Sequence, residues 1–155
     1  MTHNISLRVN GEQQEAVLDA GTPLVDYLRH GLGLTGTHVG CRSASCGACT
    51  VLLDGQTVKS CCVLAIEADG ADIETVESGG ETLDEVQQAF VDSQAMQCGF
   101  CTPGMVLSVR ALLAKNLEPS ESEVQVAIGG NLCRCTGYNN IIRAVMNISN
   151  DHKTR

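Results

Sequence analysis

Four cysteines in the second half of the sequence have the spacing of metal ligands. Cys98 and Cys101 form a C-x2-C pair, and Cys133 and Cys135 form a C-x-C pair. The segment between the two pairs predicts two helices, and a helix pair that folds back brings its two ends together. Four thiolates that converge from two short loops could enclose a small metal centre, either zinc or an iron–sulfur cluster. We call these four residues the C-terminal cysteine set.

A second group, the N-terminal cysteine set, consists of Cys41, Cys46, Cys49 and Cys61. Its C-x4-C-x2-C spacing, followed by a fourth cysteine after eleven intervening residues, is typical of plant-type [2Fe–2S] ferredoxins. The loop over residues 31–49 is rich in glycine, so its backbone can wrap a flat two-iron cluster and direct N–H groups at the sulfur atoms. Zinc knuckles do not need such a loop, and the pattern therefore favours a [2Fe–2S] cluster.

The C-terminal cysteine set is ambiguous when it is taken alone, because four cysteines with this spacing also suit zinc. A [2Fe–2S] cluster predicted in the same small chain favours a second cluster over zinc at this set, since two clusters in series can pass electrons one at a time. The ninth cysteine, Cys62, directly follows a predicted ligand. A small buried side chain is the favoured interpretation for it.

The composition is that of a globular, acidic protein. The 155 residues are 43% hydrophobic and 18% charged, with a formal net charge of −8 and a pI near 4.8. This charge argues against nucleic acid or an anionic membrane surface as a partner. The sequence shows no signal-peptide pattern and no apolar run of membrane-spanning length, which predicts a cytoplasmic protein. In that compartment, thiols stay reduced and cysteines are more often metal ligands than disulfides.

The first half of the chain predicts a small sheet crossed by one helix, the arrangement of a β-grasp fold. Asn10 and Gly11 are a strong turn signal between two segments of alternating apolar and polar residues, which predicts a hairpin. Thr22 could cap a helix that begins at Pro23 and ends near Gly31. The strands are predicted at residues 4–10, 15–19, 50–54, 56–58 and 72–76.

A change of hydrophobic period divides the chain into two domains. Residues 77–81 are rich in glycine and polar side chains, and we predict that they form a linker. Residues 1–76 then form the strand-rich domain and residues 82–155 a helical domain. The fold class is therefore predicted to be α+β.

Helix start signals in residues 82–155 predict four helices. Capping-box patterns begin at Thr82 and Ser120. A helix opened by a Pro-Gly pair lies between them, and Asn139 or Asn140 could cap the last one. The polar tail from Asn150 is predicted to fray.

Three motifs carry a resemblance to a known family. They are GCRSASCGACTV at residues 40–51, QCGFCTPG at 97–104 and GNLCRCTGY at 130–138. Together with the domain order, they resemble the small iron–sulfur subunit of molybdenum hydroxylases of the xanthine oxidase family, which includes carbon monoxide dehydrogenase. The resemblance covers nearly the whole chain. It implies an N-terminal plant-type ferredoxin domain and a C-terminal four-helix bundle, each holding one [2Fe–2S] cluster.

The resemblance also implies roles for individual residues. The N-terminal cysteine set would ligate the cluster nearer the flavin, and the C-terminal cysteine set would ligate the cluster nearer the molybdenum cofactor. Gln97 and Cys135 would contact the pterin of that cofactor. No residue of this chain matches the catalytic molybdenum site, so no catalytic residue is predicted on it.

The implied function is electron transfer inside a larger oxidoreductase. Electrons would pass from a molybdenum–pterin cofactor on a large subunit, through two [2Fe–2S] clusters, to FAD on a medium subunit. The expected assembly is a dimer of heterotrimers, and the substrate would be a small N-heterocycle, an aldehyde or carbon monoxide. Two other interpretations stay open, a free-standing two-cluster ferredoxin that serves several partners and a structural zinc protein.

Two positions depart from the pattern of many members of this family. Arg42 stands where those carry an acidic residue, and Ser45 stands where they carry glycine. Both residues lie between ligands and leave the ligand set intact. An arginine beside the N-terminal cysteine set should favour the reduced form of a cluster bound there, because net charge sets the reduction potential.

Overall fold

The computed structural model describes residues 1–154, and the first half of the chain forms a five-stranded sheet. The strands are β1 (Thr2–Val9), β2 (Glu12–Asp19), β3 (Thr50–Leu53), β4 (Gln56–Lys59) and β5 (Asp72–Glu74). Their order across the sheet is β2-β1-β5-β3-β4, with β1 and β5 parallel and the other neighbours antiparallel. Asn10 and Gly11 have φ values of 52° and 85°, as a two-residue hairpin turn requires. The predicted hairpin is confirmed.

One helix crosses the sheet. Helix α1 (Leu24–Asp26) continues into a single π-helical turn, Tyr27–Gly31. Leu24 and Leu28 are fully buried and belong to one apolar core with residues of β1, β3 and β5. The β-grasp arrangement predicted from the sequence is therefore confirmed.

The start of α1 differs from the prediction. Thr22 does not cap the helix, because Pro23 occupies the N-cap position and makes no side-chain cap. The N–H group of Leu24 instead donates to the Val63 carbonyl at 2.8 Å, in the segment before the 3₁₀ helix Ala65–Ala68. A contact distant in sequence thus satisfies the first free N–H group of the helix.

Four helices form the second half of the chain. They are α2 (Glu85–Asp92), α3 (Thr102–Leu113), α4 (Glu121–Ile128) and α5 (Asn139–Lys153). The capping box predicted at Ser120 is confirmed at the start of α4. The α+β class, with a four-helix domain after the sheet domain, is also confirmed. No helix within residues 1–154 is long and apolar enough to cross a bilayer. The shared apolar core includes Phe90, Met105, Ile128, Ile141 and Val145.

The capping box of α2 lies two residues beyond its predicted place at Thr82. Asp84 Oδ1 accepts from the Gln87 N–H group at 2.8 Å, and the Asp84 N–H group donates to Gln87 Oε1 at 3.1 Å. Arg110 of α3 forms an ion pair with the other carboxylate oxygen of Asp84. The shift leaves Leu83 54% exposed.

Helix α5 also begins and ends differently from the prediction. Neither predicted asparagine caps it, because Tyr138 occupies the N-cap position with φ 67°. The Tyr138 hydroxyl accepts from the Cys133 N–H group at 2.9 Å and donates to the Asn131 carbonyl at 3.3 Å. The helix continues through Lys153, so the frayed tail predicted from Asn150 is wrong.

The predicted linker at residues 77–81 overlaps a 3₁₀ helix, Val76–Gly79. Arg110 of α3 ties it to the helical half, since its Nη1 donates to Glu74 Oε1 and to Ser78 Oγ at 2.8 Å each. The Arg110 side chain is only 12% exposed, so these bonds lie between packed surfaces. The exact division between the two domains stays a prediction.

Candidate metal centres

The N-terminal cysteine set lies on the loop before β3 and on the 3₁₀ helix after β4 (Ser60–Cys62). The N–H groups of Ser43 and Cys46 both donate to Cys41 Sγ, at 3.4 Å each. The loop therefore directs backbone N–H groups at a ligand sulfur, as its glycine-rich sequence predicts. Between the first and third cysteines, three residues have positive φ: Arg42 (56°), Ala44 (61°) and Gly47 (74°).

The thiols of this set differ in acidity. Hydrogen bonds from the Ser43 hydroxyl and from the backbone N–H groups of Ser43 and Cys46 lower the pKa of Cys41 to about 6. Burial raises the pKa of Cys49 to about 11. A thiol buried in this way ionises beside a cation, and a coordinating thiol is deprotonated outright. The donor set thus suits a cationic iron centre that holds all of its members as thiolates.

The C-terminal cysteine set is assembled from two loops. Cys98 and Cys101 precede α3, and Cys133 and Cys135 lie between α4 and α5. The Sγ atoms of Cys98 and Cys135 are 3.6 Å apart, and the thiols of Cys101 and Cys133 lie close enough to shift each other's pKa. The structure therefore brings the two loops of this set together in cysteine pairs, with one member of each pair from each loop.

The acidities in this set also diverge. Burial, followed by the hydrogen bond with Cys133, raises the pKa of Cys101 to about 12. Burial also acts to raise the pKa of Cys133, but hydrogen bonds from the Thr136 hydroxyl (3.1 Å) and backbone N–H group (3.4 Å) help to outweigh it and lower that pKa. As in the first set, a bound cation is needed before every thiol can serve as a thiolate.

The cysteines approach one another in pairs. Among residues 1–154, no three His, Cys, Asp or Glu side chains stand together so that they could hold one metal ion. A [2Fe–2S] cluster instead takes two thiolates on each of its two iron atoms. Paired thiols match that requirement more closely than a single-ion site does. Within the two sets, the thiols of Cys98 and Cys135 are in direct contact, and Cys101 and Cys49 lie close enough to Cys133 and Cys61, respectively, for the neighbour to affect their pKa.

Gln97 and Cys135, the two predicted pterin contacts, lie side by side at the surface. Gln97 Nε2 donates to the Cys135 carbonyl at 3.1 Å. Both residues and Cys98 are exposed, whereas Cys101 and Cys133 are half-buried. One end of the C-terminal cysteine set is therefore open to a partner, and its contact with a pterin stays a prediction.

A backbone hydrogen bond connects the two cysteine sets. The N–H group of Leu132 donates to the Cys46 carbonyl at 2.8 Å, and Leu132 directly precedes Cys133. Phe100, between two cysteines of the C-terminal set, stacks on His38 with ring centroids 4.9 Å apart. The His38 Nδ1 atom also lies 2.8 Å from the Phe100 carbonyl oxygen. The loops that carry the two sets are thus in direct contact.

Sequence reasoning missed a buried polar contact between the two halves. Lys59 Nζ donates to Thr50 Oγ1 at 2.7 Å and to Asn131 Oδ1 at 2.9 Å. Thr50 and Asn131 are each 1% exposed. Lys59 and Asn131 are 72 positions apart, so no local pattern in the sequence relates them.

The ninth cysteine does not behave as predicted. Cys62 is exposed instead of buried, because it ends a short 3₁₀ helix at the surface. Its Sγ atom lies 3.6 Å from Cys61 Sγ. The Cys62 thiol is therefore in contact with a member of the N-terminal cysteine set.

A β-grasp half with a ferredoxin-type cysteine loop, followed by a helical half with four further cysteines, defines a class of iron–sulfur proteins with two cluster-binding domains. Two family models match the chain in that order. A "2Fe-2S iron-sulfur cluster binding domain" matches residues 7–73, and a "[2Fe-2S] binding domain" matches residues 72–146.

Known proteins match nearly the whole chain. Caffeine dehydrogenase subunit gamma of Pseudomonas sp. (strain CBB1) is 47% identical over 153 residues, 96% of this chain and 92% of that protein. A crystal structure of quinoline 2-oxidoreductase from Pseudomonas putida 86 matches with a TM-score of 0.93 and 43% identity, covering 99% of this chain and 97% of the other. Aldehyde oxidoreductase of Megalodesulfovibrio gigas is 45% identical over 145 residues, covering 90% of this chain and 16% of that protein. The chain belongs to the family of small iron–sulfur subunits of molybdenum hydroxylases.

Proposed function

We propose that this chain carries electrons through two [2Fe–2S] clusters within a molybdenum hydroxylase complex. The observation that carries the proposal is the hydrogen bond from Leu132 to Cys46, which joins the cysteine sets of the two domains. A cluster bound at each set would accept and release one electron at a time, which divides a two-electron oxidation into single transfers. The chain's own residues hold the thiolates, stabilise their charge and keep the two sets in contact.

The proposed ligands are the eight cysteines of the two sets. Backbone N–H groups of Ser43 and Cys46 stabilise negative charge on Cys41, and the Thr136 hydroxyl does the same for Cys133. Such hydrogen bonds to ligand sulfur atoms tune the potential of a cluster. The ligands of the N-terminal set are Cys41, Cys46, Cys49 and Cys61. Those of the C-terminal set are Cys98, Cys101, Cys133 and Cys135.

We infer that the C-terminal cysteine set faces a molybdenum–pterin cofactor on a large subunit and that the N-terminal set faces FAD on a medium subunit. The exposure of Gln97, Cys98 and Cys135 supports the first part of this inference, because these residues are open to a partner. In aldehyde oxidoreductase the matching segment is 16% of the protein, so the two domains there belong to a much longer chain. A dimer of heterotrimers in the cytoplasm completes the proposal.

Purification of a tagged chain from its native host tests this proposal. We expect molybdenum and FAD to co-purify in fixed ratio with the chain, which should carry about four iron atoms and four acid-labile sulfides. A chain that carries iron and sulfide but no partner would indicate a free-standing ferredoxin instead. Zinc without sulfide would rule out both functions.

We further propose that the complex oxidises a small N-heterocycle. The names of two relatives, caffeine dehydrogenase and quinoline 2-oxidoreductase, support this class of substrate. Under anaerobic conditions, a purine or quinoline substrate should bleach the visible absorbance of the clusters in the purified complex. Bleaching by aldehydes alone would assign the enzyme to the other substrate class.

Arg42, next to the N-terminal cysteine set, is paired with a carboxylate. Its Nη1 and Nη2 atoms donate to Asp26 Oδ2 at 2.9 Å and to Asp26 Oδ1 at 2.8 Å, and this contact lowers the pKa of Asp26. The Arg42 side chain is also 54% exposed. The charge expected to favour a reduced cluster is therefore balanced by Asp26 and screened by water.

We expect Arg42→Gln to have a small effect on the cluster of the N-terminal set. At a fixed potential, the ratio of reduced to oxidised cluster should fall by less than about threefold, because the pair is close to neutral. Asp26→Asn, which leaves the Arg42 charge unbalanced, should raise that ratio. A redox titration monitored by electron paramagnetic resonance measures both, and a tenfold fall with Arg42→Gln would show that the pair does not compensate.

A further inference from the structure

Lys59 ends β4 with its ammonium group directed into the boundary between the two domains. Its two hydrogen-bond acceptors are the neutral side chains of Thr50 and Asn131, at 2.7 and 2.9 Å. Both acceptors are almost completely excluded from solvent, at 1% exposure each. Water therefore screens the charge of Lys59 far less than it screens a surface charge.

No carboxylate of residues 1–154 forms an ion pair with Lys59, because every ion pair there involves another basic group. Lys59 lies two residues before Cys61, and the pairing of β4 with β3 places it opposite Thr50, the residue after Cys49. Both cysteines belong to the N-terminal cysteine set, so the negative charge that this geometry brings beside Lys59 is that of the proposed ligands.

We propose that the positive charge of Lys59 favours the reduced form of the cluster held by the N-terminal cysteine set. One electron added to that cluster increases the negative charge beside a partly buried ammonium group that forms no ion pair with a carboxylate, and this attraction makes the added electron more stable. Arg42 is also close to the set, but it is exposed and paired with Asp26. Lys59 therefore has the stronger influence of the two on the potential. This inference rests on the proposed ligands.

The expected size of the effect follows from the charge alone. A unit charge about 10 Å away, at an effective dielectric constant of about 20, changes a one-electron equilibrium by roughly tenfold. In Lys59→Met, the ratio of reduced to oxidised cluster at a fixed potential should therefore fall about tenfold, a downward shift of about 59 mV for a one-electron couple. The cluster of the C-terminal set should change much less.

A redox titration of the cluster-loaded full chain, with dithionite as the electron source and electron paramagnetic resonance as the readout, tests the proposal. Lys59→Arg keeps the charge and should restore the wild-type potential. Lys59→Gln removes the charge but keeps a donor for Thr50 and Asn131, so it should show the same fall as Lys59→Met. Lys115→Met is the matched control, because it removes the same charge from an exposed lysine that contacts Gln56.

The outcomes separate this inference from the proposed function. A wild-type chain that binds no iron or sulfide overturns the proposed function and this inference with it. Full clusters with an unchanged potential in Lys59→Gln overturn this inference alone. A fall in Lys59→Arg equal to that in Lys59→Met also overturns it, because the contact geometry and not the charge would then set the potential.

Discussion

Replacing Cys101 with alanine should remove one of the two proposed clusters and leave the chain folded. Iron and acid-labile sulfide should fall from about four of each per chain to about two of each. The C-terminal cysteine set has no spare thiol, since the one cysteine outside both sets, Cys62, contacts Cys61 instead. Cys101 is the N-cap residue of α3 but makes no side-chain cap, so alanine costs the helix no capping bond.

The matched control is Cys62→Ala, which removes an exposed thiol from the same chain. We expect it to leave both iron and sulfide unchanged. Electron paramagnetic resonance should show that Cys101→Ala retains the signal of the N-terminal set, whereas Cys61→Ala retains only the other signal. Loss of about two iron atoms in Cys62→Ala would mean that Cys62, and not Cys61, completes the N-terminal set.

The features predicted well from the sequence are those that residues close together in the sequence determine. The glycine-rich loop of the N-terminal cysteine set predicts unusual φ values, and the structure has positive φ at Gly33 and Gly47. Asn10 and Gly11 likewise form the expected hairpin turn. In each case the backbone conformation is fixed by neighbouring residues, so a local pattern is sufficient.

The features that escaped prediction depend on contacts between distant segments. Thr82 and Asp84 both begin a local capping-box pattern, and the one that caps α2 is Asp84, whose carboxylate also forms an ion pair with Arg110 of α3. Tyr138 starts α5 in a left-handed conformation while its hydroxyl bonds the backbone of the C-terminal cysteine loop. The contact between Lys59 and Asn131 is of the same kind, since the two residues meet only when the domains pack.

Gly47→Ala should destabilise the cluster-loaded chain by about 3 kcal/mol, through left-handed strain and a clash at the domain boundary. Gly47 has φ +74°, and a β-carbon there would lie 2.7 Å from Asn131 Oδ1 and 2.8 Å from Asn131 Cα. A second glycine packs closely on the same residue, because a β-carbon at Gly104 would lie 2.8 Å from Asn131 Nδ2. Asn131 is thus enclosed by two glycines from different domains.

Gly55→Ala separates the two causes of this loss. Gly55 has φ +75°, nearly the value at Gly47, but a β-carbon there meets no atom within 4 Å. It should therefore cost only the left-handed strain, about 1 kcal/mol. With a change of roughly 2–4 °C in melting temperature for each kcal/mol, Gly47→Ala should melt several degrees below Gly55→Ala. Equal melting temperatures would mean that the boundary yields to a methyl group. The hydrogen bond from Leu132 to Cys46, next to Gly47, would then not be enough to hold the two cysteine sets in fixed relative positions.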